Sequence, residues 1–240
     1  LFDAGETHAY TITITADAAD ATGSTAAEFN AINSATSVAV NMTNVTALAA
    51  STLSDVNTLA LAIKDWRNTD QIRNGGRLTT VAISDSTIDA TALATVIDNL
   101  DVINLGSTTD MTLASGATIN VDAGEVTQML LDETEERLDI TDQNITVTNA
   151  ISATDAKLLA DTTTGVVTAT IETTARVSDL KLLPAENNAF TIVINALDAT
   201  SSTATELNTI DAATTVAVDA TNVTGLASDN IDDILTVLTA

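Results

Sequence analysis

Residues 25–46 (TAAEFNAINSATSVAVNMTNVT) and 203–224 (TATELNTIDAATTVAVDATNVT) are one segment written twice, with 14 of 22 positions identical at a constant offset of 178 residues. A segment of this length that returns within a chain calls for repeated structural units, stacked so that each buries the apolar face of the next. Both copies open with a helix-start signal, Thr25-Ala-Ala-Glu28 and Thr203-Ala-Thr-Glu206. In such a capping box the Thr hydroxyl and the Glu carboxylate satisfy backbone N–H groups that the first helical turn leaves without acceptors. Phe29 and Ile32, then Leu207 and Ile210, follow at spacings that put both side chains on one helix face.

Looser helix starts stand at 54–55, 89–97, 154–159, 178–183 and 228–235. Helices of two or three turns are marginal alone and need a sheet to pack on. The sequence supplies β-branched runs between them, at 10–14, 38–40, 80–83, 102–105, 118–121, 138–147, 166–171, 190–194 and 216–218. In the first, Ile12 and Ile14 face one way while Thr11 and Thr13 face the other, the mark of a strand with one buried face. The nine starts step by about 26 residues on average, and seven such steps come close to the repeat offset of 178.

Composition suits thin, similar layers. The chain is 45% hydrophobic, yet its aromatics are only Phe2, Tyr10, Phe29, Trp66 and Phe190, so the core is built from Ala, Val, Ile and Leu. Thr occurs 45 times and fits the outer face of strands. The expectation is an α/β fold: an elongated right-handed solenoid of about nine strand-plus-short-helix coils along a parallel β-sheet. Residues 1–240 would form a single repeat domain, a fragment or subunit of a longer assembly. An all-β parallel β-helix is the alternative.

Residues 64–77 (KDWRNTDQIRNGGR) interrupt the pattern as a non-repeat insertion holding four of the eight basic residues and the one Trp. A lengthened loop or an extra helix over the sheet would account for it. The sharper expectation is an interface at Trp66, Arg67, Arg73 and Arg77, because Trp and Arg concentrate binding energy and the rest of the chain is acidic.

The formal net charge of −25 argues against nucleic acid as a partner, since phosphate backbones are bound by clustered cations. No apolar run reaches the roughly 18 residues needed to cross a bilayer, so no membrane insertion is expected. The opening residues carry neither an initiator Met nor a signal-like segment, which reads as a piece of something longer. Cys is absent and His8 is the single His, leaving little for a catalytic triad or a zinc site. Calcium is the plausible cofactor, with loop carboxylates at Asp17, Asp20, Asp198, Asp211 and Asp219; solvated loop and cap residues explain the same positions.

Residues 203–227 (TATELNTIDAATTVAVDATNVTGLA), with 25–46 and more weakly 152–171, resemble repeat regions of very large bacterial secreted or cell-surface proteins, marine cyanobacterial ones among them. A looser likeness is to the TELN-type repeats of phage tail-fibre proteins. The resemblance implies an extracellular location and a scaffold, adhesin or filament role, and it offers no catalytic residues to carry over. The function expected is therefore a non-enzymatic extracellular structural or adhesive repeat protein that self-associates end to end into a cell-surface filament or layer. The alternative is an adhesin module that binds a surface polysaccharide or protein. A polysaccharide-processing enzyme on a β-solenoid comes third.

Overall fold

A computed structural model describes residues 8–14, 23–38, 40–68, 78–104, 109–185 and 187–239, with the side chains of 65–68 and 239 outside the description. In chain order the elements begin with α1 (Ala26–Ser34), β1 (Ala47–Ser51), α2 (Leu53–Asn68), β2 (Thr80–Ile83), β3 (Thr87–Asp89) and α3 (Ala90–Ile103). There follow β4 (Asp110–Thr112), β5 (Thr118–Val121), α4 (Val126–Thr134), β6 (Leu138–Asp139), β7 (Asn144–Val147) and α5 (Ala153–Thr162). The series closes with β8 (Val167–Thr170), α6 (Val177–Leu180), β9 (Ala189–Thr191), α7 (Ala204–Asp211) and α8 (Ile231–Thr239).

These residues form two compact units, Leu1–Ala117 with Leu131–Ile140, and Thr118–Leu130 with Thr141–Ala240. The fold is α/β with all-parallel sheets. In the first unit the strands run β1-β2-β4-β6, and in the second β5, β7, β8 and β9 follow one another. The all-β alternative is set aside by the helices. Nor do strand and helix alternate one for one, since α2, α3 and α4 are each followed by two strands.

Burial follows the period-2 pattern. In β7, Ile145 and Val147 are buried while Asn144 and Thr146 are half-buried. Ile119 pairs with Ile145 and Val121 with Val147, so like side chains stack into ladders inside the unit. Each fully buried Ile or Val contributes about 1.5–3 kcal/mol. Phe190 is the largest fully buried side chain among the described residues. Within the strand ladders the pairing interval shrinks: Ala47 pairs with Thr80, Met111 with Leu138, Ile145 with Val167 and Thr168 with Ala189. The coil therefore has no single length.

Three sequence expectations are corrected. Residues 102 and 103, read as the start of a strand, are the last turn of α3. Asp89 caps its first turn, accepting from Ala92 N at 3.0 Å, and buried Leu93, Val96, Ile97, Leu100 and Ile103 carry the helical period through. Segments 10–14 and 216–218 are not ladder strands; the pairing near them is the isolated parallel bridges His8–Thr36, Thr13–Asn41 and Val193–Asp219, and residue 39 of the expected strand 38–40 lies outside the described residues. Conversely β1 and β4 lack a β-branched run, and β3 offers only the pair Thr87-Ile88. Ala47–Ser51 (ALAAS) is held extended by β2 beside it, which outweighs the weak strand preference of Ala.

The sequence duplication is also a structural one. Thr25 and Thr203 both cap their helices with the full two-way box. Asn41 Oδ1 accepts from Thr43 N at 3.0 Å, and Asp219 Oδ1 accepts from Thr221 N at 2.9 Å. Asn44 and Asn222 each donate their side-chain N–H to the preceding coil, to Ile14 O at 3.5 Å and Ile194 O at 2.9 Å. Ile14 N donates to Asn41 O, and Ile194 N to Asp219 O, both at 2.9 Å. Asn44 and Asn222, identical in the two copies, thus fasten their segment to the one before it, while the identical Thr and Glu of the capping boxes start the helices.

Candidate functional site

A recess lies within the second unit, where the loop between α5 and β8 meets the approach to β9. It is a cleft of about 800 Å³ bordered by Asn144, Asp161, Thr164, Val166, Asn187 and Asn188. Close backbone approach creates its floor. A Cβ on Gly165 would stand 2.1 Å from Gln143 O, so only Gly lets the two coils come this near. Thr163 Oγ1 donates to Gln143 O at 2.6 Å and accepts from Gly165 N at 2.9 Å.

Asparagines from neighbouring coils then clamp the strand start. Asn144 Oδ1 accepts from Val166 N and Asn188 Oδ1 from Val167 N, each at 2.9 Å. Asn188 is 1% exposed, and its Nδ2 has no hydrogen-bond partner among the described residues. Val166 is 39% exposed at the rim, beside hydroxyl, amide and backbone groups. Asp161 is ion-paired with Lys157 one helical turn earlier. The lining can exchange hydrogen bonds with a polar, uncharged ligand.

A smaller hollow of about 320 Å³ lies by α6, bordered by Arg176, Ser178, Asp198, Ser202 and Glu206. Arg176 reaches Asp198 through two nitrogens, with Nε to Oδ2 at 2.9 Å and Nη2 to Oδ1 at 2.5 Å. Asp198 Oδ2 also accepts from Val177 N, which opens α6. The Arg176 side chain, then the Val177 N–H, holds the buried Asp198 carboxyl below its ordinary value of 3.8 despite the opposing cost of burial. Lys181 and the Thr203 N–H likewise lower Glu206.

A stability consequence follows with a definite sign. The folded chain binds a proton at Asp198 less readily than the unfolded chain, so the contribution is complete above pH 3.8 and disappears as pH falls through the lower folded value. Asp198→Asn is expected to cost about 1.5 kcal/mol at neutral pH. Melting curves of both proteins from pH 7 to pH 2 check this: the gap closes in acid. A constant gap would remove Asp198 as its source.

Most of the sequence-predicted residues lie wholly or in part outside the described residues. Trp66 and Arg67 stand in the last turn of α2 with side chains outside the described residues, as Arg73 and Arg77 are altogether. Lys64, at the head of that stretch, donates to Asn99 Oδ1 at 3.3 Å. The four basic residues beyond it all serve internal pairs. Arg137 binds Asp101, Asp132 and Glu135, while Lys157, Arg176 and Lys181 hold Asp161, Asp198 and Glu206. Among the calcium candidates, Asp17 and Asp20 lie outside the described residues. Asp198 is held by Arg176 and Asp219 by the Thr221 turn, while Asp211 ends α7. Among the described residues no three His, Asp or Glu side chains are grouped to hold a metal ion, and no helix is long and apolar enough to cross a membrane.

Sequence reasoning missed both recesses. The cleft was signalled only by Gly165 interrupting a Thr-rich strand approach, and the hollow only by Arg176 standing alone in an acidic chain. Comparison with protein-family profiles, curated proteins and solved structures finds no match for this chain.

Proposed function

We propose that this chain is a non-enzymatic extracellular structural or adhesive repeat protein, whose strand–helix coils stack as a right-handed solenoid and associate end to end. The observation that carries the reading is the reuse of one set of inter-coil hydrogen bonds, from the Asn44 and Asn222 side chains to Ile14 O and Ile194 O and from Ile14 N and Ile194 N to Asn41 O and Asp219 O. Residues kept 178 positions apart are kept for holding coil to coil, which is the demand a scaffold makes. Rigidity in such an array grows with the number of coils, each adding a nearest-neighbour interface. The surplus of acidic groups keeps the array soluble and favours a medium whose ions screen the charge. The resemblance of 203–227 to bacterial cell-surface repeats supports the extracellular setting.

Negative-stain microscopy and ultracentrifugation over a concentration series test the reading. Rods that lengthen end to end are expected. A compact, monodisperse monomer at every concentration would overturn it.

The cleft at Asn144, Thr164 and Asn188 favours a second reading, an adhesin module that binds a surface polysaccharide or protein. Its polar lining is drawn from successive coils in register, and binding on a glycan array, lost in Asn187→Ala, would select it.

A further inference from the structure

Strands β7, β8 and β9 turn every second side chain away from the core, and none of these outward positions is charged. Positions 144, 146 and 148, then 166, 168 and 170, then 187, 189 and 191 hold only Asn, Thr, Val and Ala, in a chain of net charge −25. The register makes them a grid: Thr146 pairs with Thr168, Thr168 with Ala189 and Thr170 with Thr191. Parallel strands set such rows about 4.8 Å apart, with about 6.6 Å between successive outward residues along each strand.

Thr168, Thr170 and Thr191 are exposed. Other threonines of this unit turn their hydroxyls to backbone carbonyls, as Thr163 does to Gln143 O, Thr164 to Thr141 O and Thr214 to Phe190 O. Among the described residues, the hydroxyls of Thr146, Thr168, Thr170 and Thr191 have no such partner. At the strand starts the grid runs into the cleft, which Asn144, Val166 and Asn187 also border. Asn188 borders it as well, with its Oδ1 fixed on Val167 N and its buried Nδ2 without a partner among the described residues. A donor left so inside a folded chain calls for an acceptor, and an oxygen lodged in the cleft is a candidate for it.

We propose that this face, together with the cleft at its edge, binds an uncharged polysaccharide laid across the strands. The proposal rests on the adhesin reading given above and names its ligand class and its surface. Charge selects against an acidic polymer: Lys157, the cation at the cleft, is held by Asp161, and the surplus of carboxylates repels a polyanion. A protein partner would find here none of the Trp, Tyr or Arg side chains that concentrate binding energy. A sugar hydroxyl both donates and accepts, as a Thr hydroxyl does, so the two pair in either sense, and an Asn amide offers both a donor and an acceptor. The spacing between strands is close to the length of one pyranose ring in an extended chain, which sets about one sugar to a strand. Val166, 39% exposed, offers an apolar contact for a ring face.

The test titrates the full chain with neutral hexasaccharides of glucose and of mannose, α- and β-linked, and with a galacturonate hexamer, by calorimetry and amide chemical shifts. At least one neutral hexamer is expected to bind and to move shifts on β7, β8 and β9, while the galacturonate hexamer does neither. Thr168→Val with Thr170→Val removes two hydroxyls while keeping side-chain shape and strand preference. It is expected to weaken binding about tenfold with the melting temperature unchanged, and Thr168→Ser with Thr170→Ser is expected to retain the affinity. Failure of every neutral hexamer to bind, equal affinity for galacturonate, or full affinity in the Val variant overturns the proposal. Binding lost in Asn187→Ala but kept in the Val variant would leave the adhesin reading standing at the cleft and remove this one. Ice crystals shaped by the chain, with no sugar bound, would assign the face to ordered water and also overturn it.

Discussion

Gly165→Ala is expected to destabilise the second unit by about 1–3 kcal/mol or more, the usual cost of overpacking. The reason is one contact: the new methyl group would lie 2.1 Å from Gln143 O, and the next backbone atom, Gln143 C, is at 2.5 Å. Neither is the end of a flexible side chain, so the two coils must separate. Separation stretches the Thr163 and Val166 hydrogen bonds that join them. In a chain of this size each kcal/mol lowers the melting temperature by roughly 2–4 °C, which a thermal scan reads directly. Gly124→Ala is the control, because its Cβ would meet only Asp122 Oδ1, at an ordinary 3.4 Å. Equal losses in the two variants would show that the close approach at Gly165 is not the cause.

The second large effect is expected at Asn104. This side chain is 1% exposed, accepts from Leu78 N at 3.1 Å, and donates to Leu78 O at 2.7 Å and to Thr109 Oγ1. Asn104→Ala leaves the Leu78 N–H buried without an acceptor, at a cost of about 1–3 kcal/mol. Asn104→Asp is expected to be at least as damaging at neutral pH. A carboxylate can still accept from Leu78 N, but it confronts Leu78 O with a charge where a donor is required. Protonation restores a donor, so the Asp variant should recover relative to Ala as pH falls. Thermal melts at pH 7 and pH 4 make the comparison. An Asp variant as stable as the native chain at pH 7 would refute this account of the site.

These two positions also mark where the sequence was legible and where it was not. The capping boxes at Thr25 and Thr203 could be read directly, because both partners lie within four residues and the chemistry is local. The strands at 80–83 and 118–121 were legible for the same reason: alternation along a short run reports its own buried face. Strand β1 was not, since nothing in ALAAS prefers an extended chain until β2 lies beside it. The stretch 102–103 misled because Val and Ile serve a helix end as readily as a strand. Asn104 and Asn188 carry no local sign of burial, yet both are buried, clamping backbone tens of residues away. The cleft escaped notice because it is made by the distance between two coils. No run of letters encodes that distance except the absence of a side chain at Gly165.

The turn shared by Asn41 and Asp219 has a further consequence. In both coils only the side-chain oxygen is used, to accept from the Thr N–H and hydroxyl two residues on. An amide and a carboxylate therefore serve equally well there, unlike at Asn104, where a donor is also required. At such corners ionic character can drift between homologous coils, one substitution at a time, without disturbing how they fit. The density of negative charge along the molecule is then an adjustable coating, open to tuning by the surrounding water and salts while the scaffold beneath stays the same.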